Sequence, residues 1–269
     1  MPELPEVETV VRGLRPLLVG ALLARVVLTR ADLRVPIPRD FAQLLTGQIV
    51  TAVRRRAKYL LFDTPRVTAL CHLGMTGTWR LAPLGEERTH DHCYFELGDG
   101  RRLAFRDPRR FGMLGLVATG DRHEALDHLG PEPLGEEFTG GYLYEQVHHR
   151  AMPIKALIMD QAIVVGVGNI YAQEACFRAG IRPTLPGSGL SRARAAALVA
   201  EIRTVLTAAI AAGGSTISDF RQAGGDAGYF QHDFRVYDRA GQPCTICGMT
   251  LKGKALAGRS TVWCPSCQR

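Results

Sequence analysis

Four cysteines near the carboxyl end carry the strongest chemical signal in the chain. Cys244 and Cys247 are separated by two residues, sixteen residues follow, and Cys264 and Cys267 repeat the two-residue spacing. Each pair puts two thiolates within reach of one tetrahedral ion, and the spacer suits a β-hairpin joining two knuckles. A closed set of four soft ligands selects zinc and leaves no open coordination position, so one structural Zn2+ is expected. Lys252, Lys254 and Arg259 lie between the knuckles, flanked by Gly253 and Gly258. A basic hairpin held rigid by metal can lay cations against phosphates.

The opposite end offers a different chemistry. Met1 precedes a small residue, and its removal exposes Pro2 as a free secondary amine. An α-amino group titrates at about 7.7–8.0, against about 10.4 for lysine, so near neutral pH part of it is an unprotonated nucleophile. Attack on a sugar C1′ gives an iminium ion, an electron sink, and Glu3 is close enough in sequence to give or take a proton. The alternative is that Pro2-Glu3-Leu4-Pro5 is a stiff lead-in to a helix. Composition alone leaves both open.

The charge balance is compatible with a polyanionic partner without establishing one: 33 basic against 26 acidic residues give +7 and a pI near 9.2. Arg54, Arg55, Arg56 and Lys58 form one basic cluster, and Arg101, Arg102, Arg106, Arg109 and Arg110 another. No secretory signal is expected, and the apolar run Leu17–Ala24 is too short to cross a bilayer. Seven cysteines, four in one metal pattern and Cys71, Cys93 and Cys176 alone in apolar surroundings, suit a reducing cytoplasm better than a disulfide framework.

These residues need elements to hold them. The spacing of Val7, Val10, Val11, Leu14 and Leu18 predicts a helix over 6–20, with Pro5 in its first turn and Gly20 at its end. Short alternating runs predict strands at 49–54, 59–63, 67–72, 93–97 and 102–105, with a hairpin turn at 98–100. Helices are expected at 154–162, 169–179 and 191–212, and the glycine-rich stretch 213–228 reads as a loop. The fold class is α+β, in four parts: an N-terminal β-sandwich with flanking helices over 1–130, a Pro/Gly/Glu-rich linker at 131–150, a helical domain at 151–230, and a hairpin zinc finger at 231–269.

Pro2-Glu3-Leu4-Pro5-Glu6-Val7-Glu8-Thr9 resembles the opening of the formamidopyrimidine-DNA glycosylases. The likeness continues through His72-Leu73-Gly74-Met75, Asp107-Pro108-Arg109-Arg110-Phe111-Gly112 and Gly166-Val167-Gly168-Asn169-Ile170-Tyr171. It ends with Gly228-Tyr229-Phe230 and with Gly258-Arg259-Ser260-Thr261 before the last cysteine pair. The ordered set spans nearly the whole chain.

The resemblance implies excision of oxidised purines such as 8-oxoguanine and formamidopyrimidines from damaged double-stranded DNA, followed by β- and δ-elimination at the abasic site. The residue matching Pro2 forms a Schiff base with the deoxyribose, and that matching Glu3 is a proton donor. Lys58 matches a lysine assigned to β-elimination, or is another phosphate contact. Arg259 matches a residue assigned to δ-elimination. A guanidinium is a poor proton donor, so a phosphate clamp is the better physical account. A flipped base leaves a hole, and Met75, Arg109 and Phe111 match inserted residues, though Met75 and Phe111 also read as strand core. His90, Arg150, Lys155 and Asn169 match DNA-contacting positions, with Asn169 placed to cap a helix whose start can hold a phosphate. Residues 221–229 match a flap over the flipped base, or a tether to the finger. A helix–two-turn–helix domain, a monomer and a bacterial cytoplasmic, nucleoid-associated enzyme follow. An endonuclease VIII-like enzyme for oxidised pyrimidines and a non-catalytic zinc-ribbon protein are the rival readings.

Overall fold

The computed structural model describes residues 2–215 and 230–269. It divides into two units, the first formed by residues up to Asp127 with 212–215 among those described, the second by His128–Ala211 and Phe230–Arg269.

The first unit opens with α1, Leu4–Leu18, two residues earlier than the apolar spacing suggests. Its apolar face, Val7, Val10, Val11, Leu14 and Leu18, is fully buried, which is why the period is readable. Glu6 reaches back to accept from the Glu3 N–H at 2.9 Å, closing a capping box that stops the helix from fraying at its start.

Two four-stranded antiparallel sheets follow. One has β1 (Leu23–Leu28), β6 (Asp91–Leu97), β7 (Arg102–Arg106) and β5 (Thr78–Ala82) in that spatial order. The other has β2 (Ala52–Arg56), β3 (Tyr59–Asp63), β4 (Val67–His72) and β8 (Met113–Ala118). The short helices α2 (Phe41–Leu45) and α3 (Glu124–Asp127) complete the unit. Phe62, Trp79, Phe95 and Phe105 meet between the sheets at centroid separations of 4.9–5.7 Å. This aromatic cluster joins both sheets and α1 in one core, so the loops leaving the strands start from fixed points.

The second unit holds α4 (Gly140–Val147), α5 (Ile154–Ile158), α6 (Asn169–Arg178) and α7 (Arg192–Ala211), then a hairpin of β9 (Lys252–Leu256) and β10 (Arg259–Trp263). Thus 131–150 is not wholly linker: α4 lies within it, capped by Thr139 Oγ1, which accepts from the Tyr142 N–H at 3.1 Å, and packed on α7. The expected helix at 154–162 ends sooner, at Ile158. α7 buries Leu198, Val199, Ile202, Val205, Leu206 and Ala209, a helical stripe along an alanine-rich sequence. Phe177 of α6 joins Val236, Leu251 and Val262 in a small core beneath the finger.

Candidate active site and metal centre

Pro2 and Glu3 are buried at the mouth of α1. One turn further, Glu8 accepts from Arg55 Nε at 3.0 Å, and Arg55 Nη1 donates to the Ala57 carbonyl at 3.0 Å. This relay fixes the β2–β3 turn, where Ala57 has φ +53° and Lys58 is 6% exposed, against the first turns of α1. Burial raises the Glu8 carboxyl, but Arg55 and Arg12, whose Nε donates to Oε1 at 3.0 Å, together hold it below its usual range.

Lys58 faces His72 at the end of β4. Burial, with the Lys58 and Arg34 charges, lowers the His72 pKa to about 4, so the imidazole is neutral near physiological pH. Its Nδ1 accepts from the Gly74 N–H at 2.9 Å. The remaining proton therefore sits on Nε2, which is left as a donor. Sequence reading places His72 within a motif but gives it no role; its clue is its place two residues before a glycine.

Gly74 brings two turns together. It has φ +63°, and a Cβ there would lie 2.3 Å from the Phe111 carbonyl carbon, so only glycine permits this approach. Asp107, fully buried, braces the same junction: Oδ1 accepts from Thr76 Oγ1 at 2.6 Å and Oδ2 from the Gly112 N–H at 2.7 Å. Met75 and Phe111 consequently sit in turns outside the strands and are 41% and 43% exposed, which overturns the reading of both as strand core. The Arg109 guanidinium lies 4.8 Å from the Phe111 ring centroid. His90 is exposed with φ +74°, its carbonyl accepting from the Asp107 N–H at 3.0 Å.

In the second unit, α6 begins after Gly166-Val167-Gly168. Gly168, not Asn169, is the N-cap, and no side chain caps the helix. Asn169 is the first helical residue, with its buried Oδ1 unpartnered. The capping expectation is therefore corrected, because the glycine already adopts the extended cap conformation. Gln161 shapes the approach, accepting from the Gly166 N–H at 2.8 Å and donating to the Met159 and Val167 carbonyls at 3.0 and 3.3 Å. Arg150 is exposed, 4.0 Å from Asp160.

Lys155, matched in the sequence to a DNA-contacting position, is a buried cation. It is 1% exposed, and Nζ donates to Thr261 Oγ1 at 2.7 Å and the Ser260 carbonyl at 3.3 Å. α5 is buried along Ile154, Lys155, Leu157 and Ile158, which turns the ammonium inward. Gln173 grips the same strand: Nε2 donates to the Ser260 carbonyl at 3.1 Å and Oε1 accepts from the Val262 N–H at 2.7 Å. Glu174, also buried, accepts from the Arg235, Val236 and Tyr237 amides at 2.9–3.1 Å. Sequence reasoning misses these carboxylate and amide anchors, since nothing local marks them.

The finger itself meets the ligand geometry of zinc. The four sulfurs lie within 4.8 Å of one another, with Cys244 and Cys267 Sγ 3.9 Å apart and Cys247 and Cys264 Sγ 3.5 Å apart. A tetrahedral Zn2+ with bonds near 2.3 Å needs sulfurs about 3.8 Å apart. Backbone N–H groups of Ile246 and Cys267 point at Cys244 and Cys264 sulfurs at 3.5 and 3.4 Å. The Met249 amide, helped by neighbouring thiols, lowers the Cys247 pKa to about 7. At Cys247 this favours the thiolate, the form that binds metal, whereas Cys264 and Cys267 are raised by burial and neighbouring thiols. At the hairpin tip Ala257 and Gly258 have φ +48° and +72°, as a type I′ turn requires, and the next residue, Arg259, is exposed.

Family comparisons follow this division. A model of the formamidopyrimidine-DNA glycosylase N-terminal domain matches residues 1–114, and one of the H2TH domain of the same enzymes matches 129–221. One described as a zinc finger found in FPG and IleRS matches 241–269. The formamidopyrimidine-DNA glycosylase of Bdellovibrio bacteriovorus is 54% identical over the whole of both chains. The MutM (Fpg) protein of Thermus thermophilus superposes with a TM-score of 0.89 at 44% identity, covering 99% of this chain and 98% of that one. A Lactococcus lactis FPG mutant, in complex with DNA containing Fapy-dG, gives 0.91 at 32% identity over all of both chains. With three domain models matched in order and relatives aligned end to end, the chain is a member of the formamidopyrimidine-DNA glycosylase family.

Proposed function

We propose that the protein excises oxidised purines from duplex DNA in base excision repair and then cleaves the abasic strand. The observation that carries the reading is the buried proline at position 2, at the capped start of α1 in a chain of this family. With Met1 removed, the Pro2 nitrogen attacks C1′, the damaged base departs, and Glu3 supplies a proton as the sugar ring opens. The iminium acidifies the C2′ hydrogens, and loss of one releases the 3′ phosphate in β-elimination. A second elimination releases the 5′ phosphate.

Lys58 and the neutral His72 are arranged to hold a phosphate or take part in proton removal, and Arg259 to neutralise a leaving phosphate. Met75, Arg109 and Phe111 enter the duplex where the lesion leaves it, with Arg109 meeting the orphaned base. His90, Arg150 and the start of α6 at Asn169 contact the backbone. Lys155 serves that surface indirectly, through the strand carrying Arg259. Zn2+ held by Cys244, Cys247, Cys264 and Cys267 gives the finger its rigidity.

No helix among the described residues is long and apolar enough to cross a membrane. The buried thiols of Cys71, Cys93 and Cys176 fit a reducing compartment. We infer a monomer acting at the bacterial nucleoid. The residues 221–229, read as a flap, lie outside the described part of the chain.

The test is excision from duplexes carrying 8-oxoguanine, a formamidopyrimidine or thymine glycol, with the products resolved on a sequencing gel. Purine lesions should react faster and leave phosphates at both ends of a one-nucleotide gap. Preference for thymine glycol would move the enzyme to the pyrimidine branch, and uncut abasic DNA would remove the lyase step.

A further inference from the structure

Glu6 is a buried carboxylate with no assigned part in the reaction. It is 3% exposed, and its two oxygens serve different segments. Oε2 accepts from the Glu3 N–H at 2.9 Å. Oε1 accepts from both the N–H and the Oγ of Ser215, each at 2.9 Å, across more than two hundred residues of sequence. Gly214, at φ +80°, lies so close that a Cβ there would be 3.2 Å from Oε1 and 3.3 Å from Cγ of Glu6.

A capping box alone explains only the first of these bonds, because it ends at the backbone of the same helix. The bonds to Ser215 add a long-range tie, and charge-assisted hydrogen bonds to a buried carboxylate are among the stronger ones available. The Glu3 amide lies one residue from the Pro2 ring. Fixing that amide fixes the peptide plane joining Pro2 to Glu3, and with it the Pro2 Cα that carries the nitrogen, leaving one rotation to aim the lone pair, and the starting point of the Glu3 side chain.

We propose that Glu6 is a positioning residue for the nucleophile: one carboxylate clamps the Pro2–Glu3 peptide to the Gly214–Ser215 segment and so aims the amine at C1′. This rests on the reading of Pro2 as nucleophile. Misplacing a reacting group by about 1 Å can cost about a hundredfold in rate. Glu6→Gln leaves one carbonyl oxygen, enough for Ser215, but turns an amide NH2 toward the Glu3 N–H, donor against donor. Aim is lost while the DNA-binding surface stays intact.

The experiment compares wild type, Glu6→Gln, Ser215→Ala and Gly214→Ala in three assays. These are single-turnover release of 8-oxoguanine, the rate of borohydride trapping on a preformed abasic duplex, and Kd for a duplex containing a tetrahydrofuran abasic analogue. For Glu6→Gln both rates should fall together by about a hundredfold with Kd changed by less than about threefold, a loss of orientation without loss of binding. Ser215→Ala removes one donor and should slow both steps about fivefold, the rate equivalent of one hydrogen bond. Gly214→Ala should slow both by crowding the Glu6 side chain while leaving its charge in place, and together with Ser215→Ala it decides the matter if Glu6→Gln does not fold. Wild-type rates in the folded variants, or losses matched by equal losses in Kd, would overturn the proposal. Failure of the wild type itself to be trapped would instead remove the Pro2 reading.

Discussion

Thr76 Oγ1 donates to Asp107 Oδ1 at 2.6 Å, and this bond ties the turn bearing Met75 to the turn bearing Arg109 and Phe111. The Arg109 N–H also reaches Thr76 Oγ1, at 3.3 Å, so one hydroxyl links both turns. The two loops proposed to enter DNA together are thus mounted on one buried carboxylate.

Asp107→Asn keeps the shape and removes one acceptor from this brace. Destabilisation of about 1–3 kcal/mol is expected, the cost of leaving a buried donor unsatisfied. Excision from duplex should slow more than excision from the same lesion in a single strand, where no hole needs filling. Single-turnover rates on both substrates check this; equal slowing would separate Asp107 from the insertion turns.

His72 makes the fold pH-sensitive in a predictable sense. Its pKa is about 4 when folded, against about 6.5 when exposed, so the unfolded chain binds more protons between those values. Its contribution is complete above about pH 6.5 and declines as the pH falls toward 4. Lys58 and Arg34 oppose protonation and Asp107 favours it. Urea unfolding at pH 7.5 and 5.0 should show stability falling more steeply for wild type than for His72→Asn. An unchanged pH slope in the variant would contradict the assignment.

Much of this is legible in the sequence, and what is not has a physical reason. β3 and β4 can be read to the residue because each is a short, mostly apolar run, one ending before Thr64-Pro65 and the other before Leu73-Gly74, and the zinc ligands because their spacing has few other uses. α4 hides behind Gly140 and Gly141, although Thr139 with Leu143 and Val147 carries the cap and the i+4 pattern. The burial of Lys155 is not legible because a side chain's type does not say whether it is buried. Glu6, Asp107 and Glu174 act through partners far away in sequence, and only folding brings those together.

Lys155→Met keeps the stem and removes the ammonium that holds Ser260 and Thr261. The finger strand should loosen, with a loss of about 1–3 kcal/mol in stability. If Lys155 acts through Arg259, the share of δ- relative to β-elimination product should fall in both Lys155→Met and Arg259→Ala, with no further fall in the double variant. Independent, multiplying losses would show separate roles.

Cys247→Ser breaks the metal site. Zinc content should drop from one per chain to none, since structural zinc contributes on the order of 10–16 kcal/mol of apparent binding energy to a finger too small for its own core. DNA affinity should weaken at least about tenfold, or 1.4 kcal/mol. The folded first unit, whose core is built from α1 and the two sheets, should persist. Unchanged affinity in the zinc-free protein would detach the finger from DNA binding.

The chemistry turns on one nitrogen atom. Active enzyme reacted with lesion DNA, reduced with borohydride, digested and sequenced by mass spectrometry should carry the sugar remnant on a peptide that begins at Pro2, with Met1 gone. Attachment to a lysine, or an active protein that still carries Met1, would rule out Pro2 as the nucleophile.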